Sequence, residues 1–171
     1  MGSNENPGPE TTAGQGPPPG PLSGILVADF SRVLAGPYAT MMLADLGADV
    51  IKVESPSGDD TREWVPPRRG DVGTYFLGVN RNKRSIALDL GREDDAAVAH
   101  ELSARADIFI QNFKPGGLKR FGLDYDSVAA RNPAVIYCSI SGFGAGKGAA
   151  LPGYDILAQG VSGLMSLTGG P

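Results

Sequence analysis

The chain of 171 residues has one cysteine, one histidine and one tryptophan. A single cysteine cannot close a disulfide within the chain, which fits a reducing compartment, and the expected location is the cytoplasm. Cys138 lies in an apolar run without a basic neighbour and reads as a buried, inert thiol. His100 has no Cys or His at ligand spacing, so no metal site is expected, and it reads as a residue on the charged face of a helix. No apolar run approaches the length that spans a bilayer. The net charge of −4 argues against general nucleic-acid affinity, while leaving room for a local basic pocket that takes an anion. The first 21 residues hold 11 Gly or Pro and neither Lys nor Arg. They cannot bury enough apolar surface to offset chain entropy, so this tail reads as disordered. It lacks the basic and apolar regions of a signal peptide, and Asn6 stands where a myristoylation signal needs Ser or Thr.

What remains, with 41% hydrophobic and 20% charged residues overall, is the composition of a soluble globular domain or part of a larger one. Its pattern alternates. The apolar run 25–30 reads as a strand covered on both faces, 31–36 as a turn, and 37–46 as a helix opened by Pro37 and stopped by Gly47. Residues 48–54 form the next strand and complete a βαβ unit. Residues 55–73 are rich in Pro, Gly and charge and show no period. A helical turn over 74–79 precedes a strand over 84–90, a helix over 92–106 and a strand over 107–111. A turn follows at 112–117, short helices at 118–121 and 125–131, a strand at 134–140, a glycine-rich loop at 141–153 and an amphipathic helix at 154–167. Such alternation predicts an α/β fold with a mostly parallel, doubly wound sheet and right-handed crossovers.

Open sheets of this kind bind ligands beyond the carboxyl ends of their strands. Three turns fall there: 31–36, 112–117 and 141–153. The glycine-rich loop is not a phosphate loop, because Ser141 takes the first glycine position and Gly148 the position of the magnesium-binding hydroxyl. Residues 31–36 offer one glycine and therefore no dinucleotide fingerprint. Basic residues cluster at Arg81, Lys83 and Arg84 and again at Lys114, Lys119 and Arg120, a supply of donors that suits a ligand with several phosphates. Asp155 follows the glycine-rich loop and reads either as a carboxylate at the positive end of a helix or as part of an acyl pocket.

An ordered set of stretches resembles the N-terminal part of the class III CoA-transferases, the group of formyl-CoA and crotonobetainyl-CoA transferases and the related α-methylacyl-CoA racemases. It comprises Asp29-Phe30-Ser31-Arg32-Val33-Leu34-Ala35-Gly36-Pro37, Asp45 through Glu54, Gly58-Asp59-Asp60-Thr61-Arg62, Asn80 through Ile86, Gln111 through Gly116, and Gly153-Tyr154-Asp155. Thr61-Arg62 with residues 75–83 is similar to the branch that uses succinyl-, glutaryl- or hydroxymethylglutaryl-CoA. The resemblance covers 22–171 and implies a Rossmann-like large domain whose complete chains form interlocked homodimers. It implies that CoA is held by Val33, Leu34 and Ala35, by Leu88, Asp89, Leu90 and Gly91, and by Asn112, Phe113 and Lys114 with Arg120 nearby. Tyr154 and Asp155 map beside a possible acyl pocket. The implied reaction moves CoA from an acyl-CoA donor to a carboxylate acceptor through an aspartyl anhydride and an aspartyl-CoA thioester, with CoA as substrate and no tightly bound cofactor. The attacking aspartate is expected downstream of Pro171, so these residues alone are expected to be inactive. The racemases carry a histidine base where this chain has Tyr154, and tyrosine is a poor base for abstracting a proton beside a thioester. That favours transferase, with the racemase, a non-catalytic CoA-binding piece and an unrelated nucleotide-binding domain as alternatives.

Overall fold

A computed structural model describes residues 20–168. In chain order it contains β1 (Leu26–Phe30), α1 (Ala35–Asp45), β2 (Asp49–Glu54), a 3-10 turn (Asp60–Glu63), β3 (Arg68–Arg69), β4 (Val72–Gly73), α2 (Thr74–Val79) and β5 (Lys83–Ala87). After these come α3 (Glu93–Arg105), β6 (Ile108–Gln111), a second 3-10 turn (Lys119–Phe121), α4 (Tyr125–Arg131), β7 (Ile136–Ser139), α5 (Asp155–Ser162) and α6 (Leu164–Thr168).

Five strands form one parallel sheet in the order β5-β2-β1-β6-β7. This is the doubly wound arrangement expected from the sequence: the chain steps outward from β1 through β2 to β5, then crosses back to β6 on the other side of β1. The crevice between β1 and β6 is therefore the topological switch point, where ligands of such sheets bind. Period-two alternation assigns the two faces. Val27 and Val50 pack with Ala44, Ala48 and Ile110 on the α1 side. Ala28, Phe30 and Val53 pack with Ala99, Phe109, Leu123 and Val128 on the α3 and α4 side. Across β1, β6 and β7 the rings of Phe30, Phe109 and Tyr137 stack with centroids 4.7 and 4.9 Å apart.

Several expectations need correction. Of the tail 1–21, residues 1–19 lie outside the described residues, while Gly20 and Pro21 enter a turn in which Ser23 N–H donates to Gly20 O. Residues 55–73 are not structureless: they carry the first 3-10 turn and the antiparallel β3–β4 ladder. Local polar contacts without hydrophobic periodicity build this segment, so the pattern did not reveal it. Helix α1 begins two residues before Pro37, and Gly47 ends it at φ +99° as expected. The helix read over 154–167 is broken at Gly163 into α5 and α6, and neither half buries a residue. Cys138 is exposed rather than buried, because β7 is the edge strand of the sheet among the described residues. His100 is not free decoration, since its Nε2 lies 2.7 Å from the Phe121 carbonyl and ties α3 to the second 3-10 turn.

Candidate functional site at the switch point

Beyond the carboxyl end of β1 the backbone makes a tight turn whose groups are held by side chains from elsewhere. Ser31 N–H donates to Asp29 Oδ1 at 3.0 Å, and the Ser31 carbonyl accepts from Lys52 Nζ at 2.8 Å. Arg32 is clamped from the β6 side: its N–H donates to Asn112 Oδ1 at 2.9 Å and its carbonyl accepts from Asn112 Nδ2 at 2.7 Å. Val33 N–H lies 3.3 Å from Asp59 Oδ2. The chain then enters α1, where Gly36 passes so close to Ser31 that a Cβ would sit 2.1 Å from the serine Cβ. Only glycine fits there.

Val33 is the strained member, with φ +70°. A β-branched residue in the left-handed region costs roughly 1–3 kcal/mol and persists only where its surroundings over-determine it. The bonds to Arg32 and Val33 are that over-determination. Together they fix Leu34, which is 46% exposed, and Ala35 at the mouth of the crevice.

Beneath the turn lies a buried charge network. Lys52 and Asp59 form an ion pair at 2.9 Å with both side chains 1% exposed. Asp29 accepts from Ser31, from Thr40 Oγ1 at 2.6 Å and from Lys83 Nζ at 3.2 Å. Glu54 takes the Arg62 guanidinium in a two-pronged pair at 2.7 Å and the Ser85 hydroxyl at 2.6 Å. Among the described residues every buried side-chain nitrogen or oxygen has a partner, as a low-dielectric interior requires. Burial raises the carboxyl pKa of both Asp59 and Glu54, but Thr61 and Lys52 on one and Arg62 and Ser85 on the other outweigh it and hold both below the ordinary range. Burial acts the other way on Lys83 and brings it down to about 8 against the pull of Asp29.

The structure gathers some of the sequence-predicted residues and not others. Val33, Leu34 and Ala35 sit beside Asn112 at the switch point. Asn112 turns both side-chain amide atoms to the Arg32 backbone, a clamping role that spacing alone did not reveal. Phe113 packs against the core and its N–H donates to Gln111 Oε1 at 2.7 Å. Lys114 and Arg120 are exposed and have no acidic partner among the described residues; the Arg120 guanidinium lies over the Phe121 ring at 4.4 Å. Leu88 is buried in the core, so only its backbone reaches the sheet end. Leu90 also packs against that core, while Asp89 and Gly91 are exposed in a turn where Gly91 N–H donates to Asp89 Oδ1 at 2.9 Å. This turn follows β5, two strands from β1 and so about 10 Å across the sheet.

The cluster of Arg81, Lys83 and Arg84 is a correction. Each is engaged by a carboxylate: Arg81 by Asp45, Lys83 by Asp29 and Arg84 by Asp49. Arg81 and Arg84 stand at the amino end of β5 or before it, away from the ligand edge, while the Lys83 ammonium runs up into the buried network beneath the turn; all three are spent on structure. Tyr154 and Asp155 are both exposed. Asp155 is the first residue of α5 and pairs with Gln159, which agrees with the helix-end reading of that carboxylate.

Two recesses open on the described surface. One, of about 410 Å³, lies beyond β6 and β7 and is lined by Gln111, Lys114, Gly117, Leu118, Tyr125, Tyr137 and Ser139 among others. The Tyr137 hydroxyl donates to the Leu123 carbonyl at 2.8 Å, and burial pushes its pKa to about 12, so it stays protonated at neutrality. The other, also about 410 Å³, is formed by Trp64, Val65, Pro66, Pro67, Thr74 and Tyr75, with the Trp64 and Tyr75 rings 5.2 Å apart. Sequence reasoning missed this second recess. The signal available was the lone tryptophan and a tyrosine flanking a proline pair. Among the described residues no group of His, Cys, Asp and Glu could hold a metal ion, and no helix is long and apolar enough to cross a membrane.

Residues 22–171 match the family model of CoA-transferase family III. The chain is 52% identical over 159 residues to a succinate–glutarate CoA-transferase of Agrobacterium fabrum, covering 88% of this chain and 40% of that protein. It is 50% identical over 151 residues to the human succinyl-CoA:glutarate CoA-transferase, covering 87% of this chain and 34% of the relative. The crystal structure of a CAIB/BAIF family protein from Brucella suis superposes with a TM-score of 0.85 at 50% identity, over 90% of this chain and 42% of that one. The chain thus spans between one third and two fifths of the length of these relatives. It belongs to CoA-transferase family III, and what it holds of that fold is the parallel sheet with its switch-point crevice.

Proposed function

We propose that the whole protein is a CoA-transferase that moves CoA from an acyl-CoA donor to a dicarboxylic acid, and that residues 20–168 supply part of its grip on CoA. The observation that carries this reading is the clamped turn at the switch point: a strained Val33 and the mouth residues Leu34 and Ala35 held in place by Asn112, Lys52 and Asp59. So much fixation of a surface turn is the preorganisation that a ligand site needs. Lys114, exposed in the turn after β6, and Arg120, exposed on the 3-10 turn that follows, have no acidic partner among the described residues and suit the phosphates of CoA. The dicarboxylate preference rests on the relatives named for succinate, succinyl-CoA and glutarate.

In the proposed reaction an aspartate outside these residues attacks the thioester carbonyl and expels the CoA thiolate, leaving a mixed anhydride. The thiolate then attacks the aspartyl carbonyl, releases the donor acid and forms an aspartyl-CoA thioester. The acceptor carboxylate repeats the sequence in reverse. The thioester's free energy is kept from water throughout. In this reading CoA and the two acids come and go as substrates, the chain pairs with a second copy of itself, and it works in the cytoplasm. The exposed Ile156, Val161 and Leu167 on α5 and α6 support burial of those helices against further polypeptide. The test is CoA transfer from succinyl-CoA to glutarate by the full-length protein, followed by mass spectrometry; residues 1–171 alone should show none. Hydrolysis without transfer by the full-length protein would contradict the reading.

A further inference from the structure

We propose that Asp59 is a positioning residue for the CoA-facing turn, acting through Val33 and not through contact with the ligand. The inference rests on the reading of the turn as part of a CoA site. Asp59 is 4% exposed and every polar atom of its carboxylate is assigned. Oδ1 accepts from Thr61 N–H at 3.0 Å and from Thr61 Oγ1 at 2.7 Å. Oδ2 faces Lys52 Nζ at 2.9 Å and Val33 N–H at 3.3 Å. Lys52 in turn donates to the Ser31 carbonyl at 2.8 Å. One buried ion pair therefore holds two backbone groups of the same turn, the Ser31 carbonyl through its cation and the Val33 N–H through its anion.

This arrangement explains how a valine persists at φ +70°. Asn112 fixes Arg32 from one side, and the ion pair fixes Ser31 and Val33 from the other. Without Asp59 the Val33 N–H loses its acceptor and the residue is free to leave the left-handed region that its branched side chain disfavours. Leu34 and Ala35 would then enter α1 along a different path. A buried ion pair is weak evidence for stability as such, since desolvation offsets the attraction. Its value here lies in fixing the geometry of the turn.

Asp59→Asn is the informative substitution because it keeps the volume while leaving one acceptor atom where two are needed. Thr61 requires an acceptor on one side, and Lys52 and Val33 require one on the other. In the full-length protein, Asp59→Asn is expected to weaken CoA binding at least tenfold in calorimetry and to raise KM for the CoA thioester with kcat nearly unchanged. Its crystal structure is expected to show Val33 at negative φ. Glycine adopts the left-handed conformation unaided. So in a Val33→Gly background the Asp59→Asn change is expected to alter CoA affinity less than threefold. Asp59→Ala should behave as Asp59→Asn does; if it fails to fold, Asp59→Asn alone carries the test. Val33 remaining near +70° in the crystal of Asp59→Ala, or of Asp59→Asn with its amide nitrogen turned to Val33, would overturn the proposal, as would an equal loss of affinity in the glycine background. Failure of the unmodified protein to bind CoA would count against the proposed function, while φ of Val33 in the variant would still decide whether Asp59 positions the turn.

Discussion

Replacing Asn112 with alanine removes both hydrogen bonds that join the turn after β1 to the turn after β6. The bonds measure 2.9 and 2.7 Å and run in opposite directions between one side chain and one residue's backbone. A net contribution of about 0.5–1.5 kcal/mol for each gives about 1–3 kcal/mol together. The site is partly open to water, which can replace the lost partners, so the lower part of that range, about 1–2 kcal/mol, is expected. In urea unfolding of the full-length protein this would appear as a lower midpoint at unchanged slope. Affinity for CoA should fall further than stability does, because the clamp holds Leu34 and Ala35 across the crevice. Asn112→Asp separates the two bonds: one carboxylate oxygen still accepts from Arg32 N–H, while the other faces the Arg32 carbonyl, where a donor is required. It should therefore be no better than alanine. An Asn112→Ala protein with both its midpoint and its CoA affinity unchanged would refute the clamp.

Other outcomes follow from the charges and from the surface. The unfolded chain keeps a proton on Lys83 up to its ordinary pKa of 10.5, whereas the folded chain releases it at about 8. Between these the unfolded state binds more protons, so stability should rise with pH from about 8. Above pH 10 the Tyr137 phenol, held to about 12 in the fold, works in the opposite direction. Lys83→Met should abolish the rise between pH 8 and 10, and a wild-type protein of constant or falling stability across that window would contradict the assignment. Arg120→Ala should weaken CoA binding by about 1–3 kcal/mol, the scale of a charge-assisted contact; calorimetry showing no change would remove Arg120 from the site. With Tyr154 exposed and no histidine base at its position, the full-length protein should not exchange the α-proton of a 2-methylacyl-CoA for deuterium, and rapid exchange seen by NMR would favour the racemase.

The sheet was legible because its strands announce themselves locally. Val27 to Phe30 and Val50 to Val53 are short runs that are apolar but for Asp29 and Lys52, and Gly47 marks the stop between them. Two strands feeding helices in alternation then leave few topologies open. What the pattern could not show depends on position in the finished fold. Cys138 looked buried because its strand is apolar, yet whether a strand lies at the edge is decided by pairing far along the chain. Arg81, Lys83 and Arg84 looked like a phosphate grip because charge was visible and partners were not; Asp45, Asp29 and Asp49 are 35 to 54 residues away in sequence. Likewise the burial of Lys52 shows only in the fold, where alternation puts it on the same face as Val50 and Asp59 pairs with it. Sequence motifs placed Val33 and Asn112 at the candidate site. The positive φ of one and the double hydrogen bond of the other appear only when β1 and β6 lie side by side.

The central claim is that the turns after β1 and β6, joined at the switch point, hold CoA. A crystal structure of the full-length protein with CoA tests it most directly. The account predicts CoA seated along Leu34 and Ala35, with its phosphates near Lys114 and Arg120 and the Arg32–Asn112 clamp intact. CoA bound elsewhere on the protein, with this crevice empty, would contradict it.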